Sequence, residues 1–291
     1  TGSATAGPAV VATTTPVADI VRQIGGENVN VKTMLRPGGD PHQFEPKPSD
    51  VAALADARVI FRSGGDVDAW LQPAIDAAGG GRKPIDLSDA AVLLPAGGPH
   101  GGSTGPDLSF NSHWYLDPAN LQSVGLRVRD ELIKANPAAR ESYRANTTRF
   151  AQRVRAADAA LARCARRLPT RRRVIVTDHN DFDYLARRYG IRVGARLRGS
   201  SADEPSVRDV QHTVAAARAA GARVMVTSIG EGGKLVAAVA ARLKIPRLDL
   251  YADSLSAGGE PATVLGAIAY DLDRIAATVS EGSVRCTVPA S

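Results

Sequence analysis

The chain has 291 residues, with 36 Lys and Arg against 30 Asp and Glu (net charge +6), 44% hydrophobic, 23% charged and 4% aromatic residues. That composition belongs to a globular chain with room for one large or two ordinary domains, and no apolar run approaches the roughly 20 residues that cross a bilayer. Apart from the run Arg171, Arg172 and Arg173, most arginines alternate with acids and aromatics are scarce, which excludes a nucleic-acid binder built on stacking.

The first residues, TGSATAGPAV, are small and polar, as at a processed N-terminus. An apolar strand over 10–13 then turns through Thr and Pro into a helix ending at Gly25-Gly26. VNVKTML (29–35) alternates as a second strand and leads into GGDPHQFEPKPSD (38–50). Proline and glycine fix the backbone there and exclude a helix interior, so His42 is held on a stiff loop. Ser49 or Asp50 can cap a short helix, and ARVIFRSG (57–64) follows as a buried strand. Strand, helix and strand in succession predict a parallel sheet with crossover helices.

PAGGPHGGSTGP (95–106) interrupts this rhythm as a mobile loop containing His100. Residues 109–135 then read as a short strand or turn, with His113 in FNSHWYLDP, and an amphipathic helix. The longest helical pattern opens at Asn136-Pro137 and stops at Leu168-Pro169. Phe150, Val154, Ala157, Leu161, Cys164 or Ala165, and Leu168 recur at spacings of three and four, one stripe along a helix of about 45 Å that acts as a strut. After it the strand–loop–helix rhythm returns: VIVT before Asp178 and His179, ARVMVTSIGEGG before a helix, and LDLYAD ending at Asp253. The expected fold is α/β: an N-terminal lobe (8–135), a long connecting helix (136–169) and a C-terminal lobe (170–286), each lobe with a mostly parallel sheet flanked by helices.

In such sheets ligands sit beyond the carboxyl ends of the strands. His42, His113, His179 and Asp253 all stand at such places, two from each lobe. Three imidazoles and a carboxylate at about 2.0–2.2 Å make a tetrahedral set suited to Zn²⁺. Asp249 lies in the strand and would point elsewhere, while His212, in a helical stretch, reads as an exposed or half-buried residue. Cys164 and Cys286 are the only cysteines and have no metal-ligand spacing. A disulfide between them, implying an oxidising and exported setting, is their simplest use, with two buried thiols as the alternative.

These motifs resemble the solute-binding proteins of ABC-type zinc and manganese importers, over nearly the whole chain. DPHQFEPKPSD is similar to that family's first histidine motif, SHWYLDP to its second and DHNDFDYLARRYGI to its third. EPSVRDV and LDLYADSL match later landmarks. The resemblance implies metal-ligand roles for His42, His113, His179 and Asp253, and two lobes with the metal between them. It also implies a protein outside the cytoplasmic membrane, peripheral to it and monomeric, that hands Zn²⁺, or less readily Mn²⁺, to a membrane permease. A third histidine, where manganese members often carry a carboxylate, favours zinc. Asn111-Ser112 stands where the second motif commonly has Asp-Pro, which predicts a less rigidly held His113. Glu45, Asp178, Asp181 and Glu231 are candidates to orient the rings. The stiff strut predicts small movements on release. Competing readings are a manganese-specific relative, an adhesin with a structural metal, and a zinc hydrolase. The hydrolase fits poorly, because four protein donors leave no position for water and HExxH is absent.

Overall fold

The computed structural model describes residues 7–79, 81–96, 110–199, 204–231, 233–259 and 261–288. In the first lobe the short apolar strand β1 (Ala9–Ala12) runs into α1 (Thr15–Gly25), whose first turn is capped by the Thr14 hydroxyl. There follow β2 (Asn30–Thr33), α2 (Pro48–Asp56), β3 (Val59–Arg62), α3 (Leu71–Ala77) and β4 (Ile85–Asp86). All pair in parallel, in the order β2-β1-β3-β4. The cap expected at Ser49 or Asp50 lies earlier: α2 starts at Pro48, and Asp50 accepts from the Lys47 backbone N–H at 3.0 Å. Proline presets the first helical residue, so the carboxylate acts from inside the first turn.

α4 (Pro118–Ala135) and α5 (Arg140–Arg166) then cross to the second lobe. That lobe comprises β5 (Val174–Thr177), α6 (Asp183–Tyr189), β6 (Arg192–Arg196), α7 (Val207–Ala220), β7 (Val224–Ser228), α8 (Lys234–Leu243), β8 (Arg247–Leu250) and α9 (Val264–Val279). Its strands are again all parallel, in the order β6-β5-β7-β8. The two lobes therefore repeat one topology, and a long helix joins them.

The stripe expected on that helix is buried from end to end, and Tyr143 and Thr147 extend it. Phe150, Val154 and Leu161 belong to one apolar cluster with Val10 and Phe61 of the first sheet and Ile175 and Val226 of the second. The strut is thus a shared wall of both cores. Gly125 in α4 lets it lie against α5, since a Cβ there would meet the Phe150 ring at 3.1 Å. Cys164, near the end of α5, is joined to Cys286 by a disulfide with a Cα–Cα distance of 5.5 Å. Pro95 and Phe110 form an isolated antiparallel bridge. His100 lies outside the described residues.

The disulfide spans 122 residues, which in the chain-entropy account corresponds to about 4–5 kcal/mol. Alkylation without reductant is expected to add no label to the intact mass, and reduction to lower the thermal midpoint. A second stability prediction concerns Asp271 in α9. It is fully buried; its Oδ1 accepts from the Tyr251 N–H at 2.9 Å and its Oδ2 has no hydrogen-bond partner among the described residues. Burial pushes its pKa up to about 8, against 3.8 for an exposed aspartate. The folded chain therefore keeps a proton that the unfolded chain loses first, so the associated stability is present below 3.8 and declines as pH rises towards 8. Asp271→Asn should flatten that slope and raise stability at pH 8 by ~1–3 kcal/mol, as read from urea unfolding at pH 5 and pH 8.

Candidate metal centre

His42, His179 and Asp253 stand on segments that follow β2, β5 and β8. After β2, Asp40 nucleates the single turn Pro41–Gln43 by accepting from the His42 backbone N–H at 2.8 Å, and this turn presents the His42 ring. After β3, Gly64 and Gly65 have φ of 90° and 73°. A Cβ on Gly65 would strike Ser112 at 2.9 Å, so only glycine allows this loop to carry Asp66 into the site. Asp68 pins the same loop by accepting from Thr13 Oγ1 and from the N–H groups of Ser63 and Gly64.

His113 is fully buried and is the most firmly held of the rings. Asn111 Oδ1 accepts both its backbone N–H, at 3.0 Å, and its ring Nδ1–H, at 2.8 Å. Nε2 is thereby left as the donor nitrogen, 2.8 Å from Asp253 Oδ1. Asn111 is itself fastened, donating to Asn180 O at 2.6 Å and accepting at its own carbonyl from the Tyr184 hydroxyl at 2.8 Å. The looser ring expected from Asn111-Ser112 is thus corrected: an amide that bridges the lobes orients the imidazole.

His179 and Asp178 follow β5. Asp178 is occupied by Arg198, whose guanidinium donates to it at 3.1 and 2.5 Å. Among the described residues His179 has no hydrogen bond on either ring nitrogen, with Glu231 Oε2 at 3.4 Å and Asp181 Oδ2 at 3.8 Å from its Nδ1. Asp253 follows β8 and is buried, whereas Asp249 is exposed and pairs with Arg247. His212 is exposed on α7.

His42, His113, His179 and Asp253 each offer a donor atom within 4.8 Å of the others. An ion held at ~2.0–2.2 Å in a tetrahedron needs donors about 3.3–3.6 Å apart, a contraction that side-chain rotation supplies. The ring centroids lie 5.4–6.1 Å apart. His42 Nε2, both His179 nitrogens, Asp253 Oδ2, Asp181 Oδ2 and both Glu231 oxygens are buried without a hydrogen-bond partner among the described residues. So many orphaned donors around one point leave a positive charge missing.

Their electrostatics agree. Burial drives the His179 pKa well below the usual imidazole range, against the pull of Asp253, and so keeps that ring neutral. Burial would also lower His42, but the Asp253 and Asp66 carboxylates outweigh it and raise its pKa. Burial pushes Glu231 up to about 11 and Asp181 well above the carboxylate range, each reinforced by Asp253. Arg198, 3.6 Å from Glu231 Oε2, is the cation beside this group of acceptors among the described residues.

Two orienting groups were missed in the sequence. Asp66 places Oδ2 at 3.7 Å from His42 Nδ1 while its Oδ1 accepts from Ser112 Oγ at 2.5 Å. The rule of polar residues after strands marks it, at the end of FRSGGD. Asn111 carried the signal of standing two residues before a histidine. Of the four orienting candidates, Glu231 and Asp181 approach a ring, Asp178 is engaged by Arg198, and Glu45 is exposed on the surface.

Residues 10–278 match the family model described as the zinc-uptake complex component A, periplasmic (ZnuA). The zinc-binding protein TroA of Treponema pallidum is 28% identical over 281 residues, covering 94% of this chain and 89% of that protein. Its solved structure superposes with a TM-score of 0.83 at 25% identity, covering 94% and 99% of the two chains. The iron-binding protein YfeA of Yersinia pestis is 27% identical over 183 residues, covering 63% of this chain. The manganese-binding lipoprotein MntA of Bacillus subtilis is 29% identical over 210 residues, covering 70% of this chain. The match spans 57% of YfeA and 65% of MntA, less than two thirds of either.

Asn111→Ala is expected to free the His113 ring and weaken binding of a divalent ion by ~10–100-fold with little change in fold. Calorimetric titration of the metal-free protein, beside its circular dichroism spectrum, checks both halves of that statement.

Proposed function

We infer what this chain does from one premise: it belongs to the ZnuA family, the periplasmic zinc-uptake component, and so to the metal-binding substrate-binding proteins of ABC transporters. On our reading it captures Zn²⁺ between its lobes, outside the cytoplasmic membrane, and delivers it to the permease of an importer. His42, His113, His179 and Asp253 hold the ion. The observation that carries this is the meeting of three imidazoles and one carboxylate, each with a donor atom within 4.8 Å of the others, from four separate parts of the chain. A set of three nitrogens and one oxygen suits zinc. It also closes a four-coordinate shell, leaving no position for an activated water, so the chain is a carrier and not an enzyme.

Relatives named for manganese and iron keep a second reading in view, and one feature favours it. The Glu231 and Asp181 carboxylates beside His179 could add the oxygen donors that Mn²⁺ prefers. Competition between zinc and manganese on the metal-free chain decides between the two.

The purified, metal-free protein should bind one zinc ion, with a change in the fluorescence of Trp114, which adjoins His113 and donates to Ser63 O at 2.9 Å. His42→Ala should weaken binding by roughly 100-fold or more; full-strength binding by that variant would remove His42 from the site. Zinc takes only deprotonated rings, so binding should weaken as pH falls. Because its neighbouring carboxylates raise His42, protons should begin to compete above the 6.5 of a free imidazole. A zinc affinity that stays flat from pH 8 to pH 5.5 contradicts this.

A further inference from the structure

Glu231 lies against the four-donor cluster without belonging to it. Its side chain is 2% exposed, Arg198 Nη2 stands in ion-pair range of its Oε2 at 3.6 Å, and neither carboxylate oxygen has a hydrogen-bond partner among the described residues. It stands 3.4 Å from His179 on one side, and on the other it, Asp40 and His42 each offer a donor atom within 4.8 Å of the other two. The His42 and Glu231 side chains are nearly as buried as those of the four-donor set, but Asp40 is half-buried where His113, His179 and Asp253 are buried, so this trio overlaps that set and has its extra member nearer to solvent. Asp40 is fixed for the part, with Oδ1 accepting from the His42 N–H and Oδ2 from Gln43 Nε2 at 2.9 Å. Each oxygen keeps a lone pair free.

We propose that Asp40, His42 and Glu231 form a second, outer position for a divalent cation, through which the ion passes on its way to and from the buried four-donor site. This rests on the reading of the chain as a metal carrier. Two carboxylates balance the charge of a dication once it is bound and has displaced any proton, but a set of one nitrogen and two oxygens holds zinc less firmly than three nitrogens and one oxygen. The outer position is therefore the weaker and less selective one. His42 is common to both sets and Glu231 adjoins His179, so the ion exchanges donors a few at a time and is never bare of protein. Sharing His42 also keeps the stoichiometry at one ion.

Two measurements test this. The His113→Ala/His179→Ala double variant, verified by circular dichroism and thermal melting, is titrated with zinc chloride. It should bind one zinc at least ~100-fold more weakly than the parent, and adding Asp40→Asn should abolish that binding. In the otherwise intact chain, Glu231→Gln should slow the transfer of bound zinc to a fluorescent chelator by ~10-fold or more, with a smaller change in equilibrium affinity. Absence of residual zinc in the folded double variant, or unaltered transfer from Glu231→Gln, overturns the outer position. An equilibrium loss of ~100-fold in Glu231→Gln assigns that residue to the inner site and overturns it equally. A parent chain that binds no zinc defeats the carrier reading instead.

Discussion

The arrangement on which everything else depends is the crowding of lone pairs at the space between the lobes. Three imidazole rings meet Asp253, with Glu231, Asp181 and Asp66 close by, and the Arg198 guanidinium engages Asp178 and reaches within 3.6 Å of Glu231. Folding gains nothing from unpaired acceptors in a low dielectric, so the rest of the molecule has to hold them together against their own repulsion. The glycine pair at 64 and 65, the Asp68 clamp and the Asn111 amide all serve to fix the backbone under this cluster.

The scaffold answers with rigidity. Both sheets share a wall in α5, whose buried face belongs to one cluster running through both lobes. Direct hydrogen bonds cross between the lobes beside the site. Ser254, next to Asp253, accepts from the Gly38 N–H at 2.7 Å, and the Leu255 N–H donates to Thr15 Oγ1 at 2.8 Å. Val264 N–H, at the start of α9, reaches the Asp19 carboxylate of α1 at 2.8 Å. With so many ties, the two lobes have little freedom to separate.

Much of this was legible in the sequence because it is periodic or punctuated. The stripe on α5 shows as spacings of three and four, the strands as short apolar runs, and the His42 turn as prolines and an aspartate. His42, His113, His179 and Asp253 stand out because each follows a strand or a turn. Harder to read were side chains whose role depends on a partner distant in sequence. Asp66 matters because Ser112 and His42 come to it across 46 and 24 positions, and no local pattern encodes that. Asn111 looked like a weaker substitute because its partners, Asn180 and Tyr184, lie about 70 residues on. Glu45 failed for the opposite reason: it lies close in sequence to His42 but turns outward.

The Asn111 bond to His113 carries a consequence of its own. An amide has no proton to gain or lose across the physiological range, so its grip on the ring is the same in an acid medium as in a neutral one. A carboxylate in that place would add one more negative charge to a crowded hollow. With an uncharged bracket, acidification changes the occupant's competitors but not the aim of the imidazole, and on return to neutral pH the ring is already pointing the right way.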